Sequence, residues 1–228
     1  MKKPFLVLAA VLVLSAESGP QSERKFWDEK DWTQWTAYEC QKILYRGPWT
    51  LGGGGLDDQY GNPQATGVEL VSALPVRLAR ARIRQLGVAY IRPSVLYASQ
   101  GTYKDGQLTL ELKLEKEEPS PEYYADRVVV RYYNIGMENY FSYGDTAVLR
   151  LSDGRKIMPL ETITLRKGKL EEEFEAIFPR FVNGEAIIKP GDKTLSVHIG
   201  RMKGSKFKVG WKWEFNVKDL MFQGKPEY

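Results

Sequence analysis

Phe207-Lys208-Val209-Gly210-Trp211-Lys212-Trp213-Glu214-Phe215-Asn216-Val217 decides the fold. Phe207, Val209, Trp211, Trp213, Phe215 and Val217 hold every odd position, and Lys208, Lys212 and Glu214 stand among the even ones. A repeat of two describes a strand with one apolar face, and six side chains on that face predict a long, deeply packed strand. The same period recurs upstream. Leu195, Val197 and Ile199 alternate with Thr194, Ser196 and His198, which places the histidine on the polar, solvated side. Ala186–Ile188 leads into a Pro190-Gly191-Asp192 turn. Ile163–Phe178 reads as a hairpin about Lys167-Gly168, with Leu170, Phe174, Ala176 and Phe178 mostly inward and Glu171-Glu172-Glu173 as a solvated strand start. Thr146–Leu151 ends at a Ser152-Asp153-Gly154-Arg155 turn, Arg127–Tyr133 precedes it, and Leu108, Leu110, Leu112 and Leu114 form the earliest alternating run. Such short strands separated by turns predict an antiparallel β-sandwich over 106–228. A closed barrel would give nearly the same pattern. No fixed internal period points to a propeller or solenoid.

The N-terminal half has helical spacing, and the class is therefore α+β, with two short helices packed against the sandwich. Thr36-Ala37-Tyr38-Glu39 is a capping box opening a helix that runs to about Arg46, with Cys40, Ile43 and Leu44 inward. Gly47-Pro48 stops it, the glycine taking left-handed geometry. Ser72–Leu86 forms a second helix, capped by Ser72, with Pro75 in its first turn and Gly87 beyond its end. Val76, Ala79, Ile83 and Leu86 make its buried stripe. Between the helices, Gly52–Gly55 and the Asp57–Pro63 stretch predict a flexible surface loop over 50–67, because four consecutive glycines lose much backbone entropy on ordering. Residues 19–105 thus read as a helical segment carrying that loop.

Residues 1–18 read as a secretory signal peptide. Lys2 and Lys3 form the positive region, Phe5–Ala16 the apolar region, and Ala16-Glu17-Ser18 the cleavage site. That apolar run is shorter than the roughly 20 residues of a spanning helix, so no membrane span follows cleavage, and the expected location is periplasmic or extracellular. Cleavage leaves 31 Lys+Arg against 28 Asp+Glu, a formal charge of +3 in place of +4, which gives nucleic-acid binding no support. One cysteine, Cys40, cannot make an internal disulfide.

Reactive chemistry is sparse. His198 is the sole histidine, and no G-x-S-x-G elbow, phosphate-binding glycine motif or zinc-ligand set accompanies it. No metal or cofactor is expected. Two groups of residues remain as candidate binding surfaces. Arg77, Arg80 and Arg84 share one side of the second helix, with Arg82 apart, and could present an anion-binding face or a solvated one. Tyr132, Tyr133, Tyr140 and Tyr143 belong to an aromatic concentration that could stack on sugar rings or pack into the core. Trp27, Trp32, Trp35 and Trp49 bracket the first helix and could form a ligand platform or, as large aromatics more commonly do, clamp the helix onto a sheet.

Trp35-Thr36 with Glu39, Ile43-Leu44, Pro48-Trp49, Ser72-Ala73-Leu74-Pro75-Val76-Arg77 with Ala79 and Arg82, Phe178-Pro179-Arg180, Asp219-Leu220-Met221 and Gly224-Lys225 are scattered through the chain. Together they resemble a group of uncharacterised exported bacterial proteins of acidobacterial type. The resemblance implies export and a shared fold, and no activity, ligand or catalytic residue. The expectation is an exported, non-enzymatic binding or structural module. Its partner would be a polysaccharide, an acidic envelope polymer or another envelope protein, with no nucleic acid. A carbohydrate-binding sandwich and a carboxylate-dependent hydrolase are the alternatives.

Overall fold

The computed structural model describes residues 25–56, 63–88, 102–104, 107–109, 119–135, 146–167, 171–189, 191–203 and 206–228. The signal-peptide reading at 1–18 lies outside them. Helices α1 (Phe26–Glu29), α2 (Ala37–Arg46) and α3 (Leu74–Gln85) occur in the N-terminal part. Strands follow in chain order: β1 (Thr50–Leu56), β2 (Pro63–Leu70), β3 (Thr102–Lys104), β4 (Gln107–Thr109), β5 (Arg127–Ile135), β6 (Thr146–Leu151), β7 (Lys156–Ile157) and β8 (Glu161–Lys167). Then come β9 (Glu171–Pro179), β10 (Phe181–Val182), β11 (Glu185–Ala186), β12 (Thr194–Lys203), β13 (Lys206–Asn216), β14 (Met221–Phe222) and β15 (Lys225–Pro226).

The capping box forms as its sequence dictates. Thr36 Oγ1 accepts from the Glu39 amide at 3.2 Å, and Glu39 Oε2 accepts from the Thr36 amide at 2.9 Å. Cys40, Ile43 and Leu44 are buried. The helix stop has a different cause from the expected one: Gly47 is extended, at φ −71°, not left-handed. A Cβ there would stand 2.4 Å from the Ile43 carbonyl oxygen, so the site needs a residue without one. Trp35 and Trp49 are fully buried and Trp27 and Trp32 partly so. Edge-to-face contacts of Trp27 with Trp49 (5.6 Å) and of Trp35 with Phe222 (6.4 Å) clamp the helices onto the body.

Helix α3 corrects two expectations. Its N-cap is Ala73, and Ser72 Oγ instead accepts from the Val129 amide at 2.9 Å, prolonging the contact between β2 and β5. Leu86 lies past the helix end and is exposed, whereas Val76, Ala79 and Ile83 are buried as predicted.

Strands β1-β2-β5-β9-β8 make a five-stranded antiparallel sheet, and β13-β12-β6-β7 make a four-stranded one. Val68, Val128, Val130, Tyr132 and Phe178 of the first share one apolar core with Leu149, Leu195, Val197, Ile199 and Phe215 of the second, and with Ile43, Leu44, Val76 and Ile83 of the helices. The architecture is the expected α+β one, a sandwich-like pair of sheets with helices packed on it. Full burial of each aliphatic side chain contributes about 1.5–3 kcal/mol, so packing replaces covalent staples.

The glycine-rich stretch is not a loop: Thr50–Leu56 is β1, and Gly52, Gly53, Gly54 and Gly55 pair with Gly67, Thr66, Ala65 and Gln64 of β2. The ladder gives these residues the external support that their own sequence lacks. Tyr133, opposite Gly67, adds to it, since a Cβ on Gly67 would stand 2.5 Å from the tyrosine hydroxyl. Residues 57–62 lie outside the described set. So do Leu110, Leu112 and Leu114 of the earliest alternating run, of which β4 contains Leu108.

Strand β13 departs from a uniform six-residue inner face. Trp211 pairs with Ile199 and Val209 with Gly200, leaving Gly210 as the extra residue of a β-bulge. Paired residues share a face, so Phe207 and Val209 fall on the side of Gly200 and His198, opposite Phe215. Only Phe215 and Val217 of the six are fully buried, and Val209 and Trp211 are partly exposed. Glu172 and Glu173, read as solvated, are buried because β9 runs between β5 and β8. Asn183-Gly184 carries a turn signal of its own. Both residues have positive φ, 53° and 79°, the signature of the tight turn that joins β10 to β11.

Candidate functional site

The two faces of each sheet differ sharply. In the five-stranded sheet Val128, Val130 and Tyr132 enter the core, while Val129, Arg131 and Tyr133 point to the opposite face with Glu69, Glu173 and Glu175. Arg131 Nη2 donates to Glu175 Oε1 at 2.7 Å, and its guanidinium lies 3.6 Å from Glu69 and 3.7 Å from Glu173. Arg80 Nη2 donates to Glu69 Oε1 at 2.7 Å. Burial and the neighbouring Arg80 oppose the Arg131 charge, but Glu69, Glu175 and Glu173 outweigh them and hold its pKa above the ordinary value.

This arrangement divides the predicted arginine face. Arg80 is buried against Glu69. Arg77 donates from Nε to the Ser72 carbonyl at 3.1 Å and lies 4.9 Å over the Tyr124 ring, while Arg84 is exposed. Arg82 Nε donates to the Trp35 carbonyl at 3.0 Å. The three arginines therefore do not form one open cationic surface, because strand β2 supplies an acid that draws the middle one inward.

Tyr132 and Tyr133 are also buried. Tyr132 stacks on Phe174 at 5.2 Å and Tyr133 covers Gly67, so neither presents a ring to a sugar. Tyr140 and Tyr143 lie outside the described residues. The carboxylates brought together here, Glu69, Glu173 and Glu175, are committed to Arg131, and the first two are almost wholly buried. A glycosidic bond could not reach Glu69 or Glu173 as they stand. Cys40 is likewise enclosed, and burial pushes its thiol up to about 11.

The four-stranded sheet offers a more open constellation. On its outer face Ser196 pairs with Arg150 of β6 and Glu214 of β13, and His198 pairs with Val148 and Lys212. Ser196 Oγ donates to Glu214 Oε2 at 3.0 Å, and Lys212 Nζ reaches the same oxygen at 2.7 Å. His198 is 8% exposed, not solvated as the alternation implied, because long side chains of both neighbouring strands flank it. Burial, Arg150 and Lys212 lower its pKa, against the weaker pull of Glu214. His198 Nδ1 and Arg150 Nε are enclosed and have no hydrogen-bond partner among the described residues. Serine, histidine and acid thus share a face without forming a catalytic triad, since the hydroxyl is bonded to the carboxylate and not to the imidazole. Alternation could group Ser196 with His198, but Arg150, Lys212 and Glu214 join them only through strand register.

Elsewhere a groove of about 310 Å³ is lined by Arg155, Ile157, Val182 and Glu185 among others. Arg155 spends its donors on Asp153, Asp192 and the Ile187 carbonyl. Among the described residues no group of three or more His, Cys, Asp or Glu is placed to hold a metal, and no helix is long and apolar enough to cross a membrane. Comparisons with protein-family models, with curated proteins and with solved structures each return no match.

Proposed function

We infer that the chain is an exported, non-enzymatic binding or structural module. The observation that carries this reading is the bonding of Ser196 to Glu214, which leaves the imidazole of His198 without an activated serine among the described residues. The enclosed Cys40 thiol and the arginine-bound glutamates support it further, because neither group is poised to attack or protonate a substrate. Export rests on the pattern of residues 1–18.

Two experiments test the reading. Mature protein offered a panel of esterase, glycosidase and peptidase substrates is expected to turn none over; robust turnover abolished by one substitution overturns it. Protein recovered outside the cytoplasm is expected to begin near Gly19, and retention of the full chain inside the cell refutes export.

A further inference from the structure

We propose that His198, Arg150 and Lys212 form an oxyanion-binding site, taking a phosphate or sulfate group, on the outer face of the four-stranded sheet. The proposal deepens the binding reading, from which it takes only the premise that this surface serves recognition.

Three strands converge to build the site. Lys212 stands directly opposite His198 on β13, and Arg150 stands one pair along on β6, opposite Ser196. Directly paired side chains lie about 4.5–5.5 Å apart at Cβ and diagonal ones about 7–8 Å, within reach of arginine and lysine. The register thus gathers the three side chains in one patch of the face, onto which a tetrahedral oxyanion would draw their nitrogen atoms. Two of the three nitrogen-bearing groups have an unmet requirement. His198 is more than nine-tenths buried, yet its Nδ1 has no partner, and Arg150 Nε is equally enclosed and unbonded among the described residues. In the tautomer that carries its proton on Nδ1, His198 shares with Arg150 Nε the cost of an unsatisfied buried donor, about 1–3 kcal/mol, which an oxyanion drawn between the two would relieve. Lys212 supplies a rim that solvent reaches, its side chain being about half exposed.

Charge argues the same way. Arg150, Lys212 and His198 face one carboxylate, Glu214, which already accepts from Ser196 and Lys212. Burial and the two cations beside it disfavour the imidazolium form, and further negative charge brought to the site favours it. Binding is accordingly tighter in mild acid. The predicted cationic face on α3 does not compete for this role, since Glu69 neutralises Arg80.

His198 is the single histidine of the sequence, so its imidazole signals in a proton–carbon NMR spectrum of the whole protein assign themselves. Titration with inorganic phosphate is expected to move these signals saturably, while sodium chloride of equal ionic strength leaves them in place. Saturating phosphate is expected to raise the imidazole pKa by about one unit, equivalent to about tenfold tighter binding to imidazolium than to imidazole. Arg150→Gln is expected to weaken binding about tenfold or more. Glu214→Gln, which removes the competing carboxylate, is expected to strengthen it about two- to fivefold. Should Arg150→Gln fail to fold, Lys212→Gln at the exposed rim gives the same readout.

Glucose 6-phosphate separates two sources of the group. A tighter response to it than to inorganic phosphate supports the site with a glycan-borne group, and the reverse order supports it with the free ion. Signals that stay fixed up to about 50 mM phosphate overturn the proposal. Movement that is unchanged in both cation variants overturns it as well. Neither result touches the turnover assays, so failure of the site and failure of the non-enzymatic reading are told apart.

Discussion

Glu69 shows how one side chain can govern several others. It receives Arg80 at 2.7 Å and lies 3.6 Å from Arg131, all three buried. Glu69→Ala is expected to destabilise the protein by about 3–5 kcal/mol in urea denaturation, because two guanidinium groups would keep their desolvation and lose an acid. Cys40 makes a contrasting case. Its thiol, pushed up to about 11 by burial, is almost wholly protonated at pH 8. A thiol-specific reagent is expected to find no reactive cysteine in the native protein and one after denaturation. The fates of these residues were unequally legible. Cys40 lies on a helix whose apolar stripe is local, so spacing alone gave its burial. Glu173 and Arg80 depend on charges carried by other strands, and no short window of sequence contains both members of either pair.

At the scale of elements, local signals succeeded where the chain folds on itself and failed where distant segments must meet. The Thr36 capping box and the Ser152–Arg155 turn formed as read, each being complete within four residues. Strand β1 is not legible in its own residues because glycine has no intrinsic preference for a sheet, and its order comes from pairing with β2 and from Tyr133 across β2 on β5. The reversal of Phe207 and Val209 followed from the bulge, for which a glycine inside an alternating strand, Gly210, was the available clue. Asn183-Gly184 was an equally available clue to the β10–β11 hairpin. Asn183 has φ 53°, a geometry that branched side chains resist. Asn183→Val is expected to lower stability by about 1–2 kcal/mol, and Asn183→Gly to be nearly neutral, in parallel thermal melts.

For the whole molecule, the depressed pKa of His198 gives stability a definite pH dependence. Below its unfolded value near 6.5 the unfolded chain binds more protons at this position than the folded one does. Stability is therefore expected to fall as pH drops through 6.5 and to level off once the folded imidazole also titrates. His198→Gln in phosphate-free buffer is expected to flatten that part of the curve, as measured by urea midpoints between pH 7.5 and pH 5. The Arg131 network has a consequence in time. A nascent chain leaves the ribosome from its N-terminus, and Arg131 emerges 44 residues ahead of Glu175. During that interval the guanidinium has no way to enter the sheet without a large penalty for burying an incompletely countered charge. A chain arrested before Glu173 is accordingly expected to stay open to protease. The five-stranded sheet closes late in synthesis, and the export proposed for the chain would find in that delay a window in which the protein's own electrostatics keep it from folding.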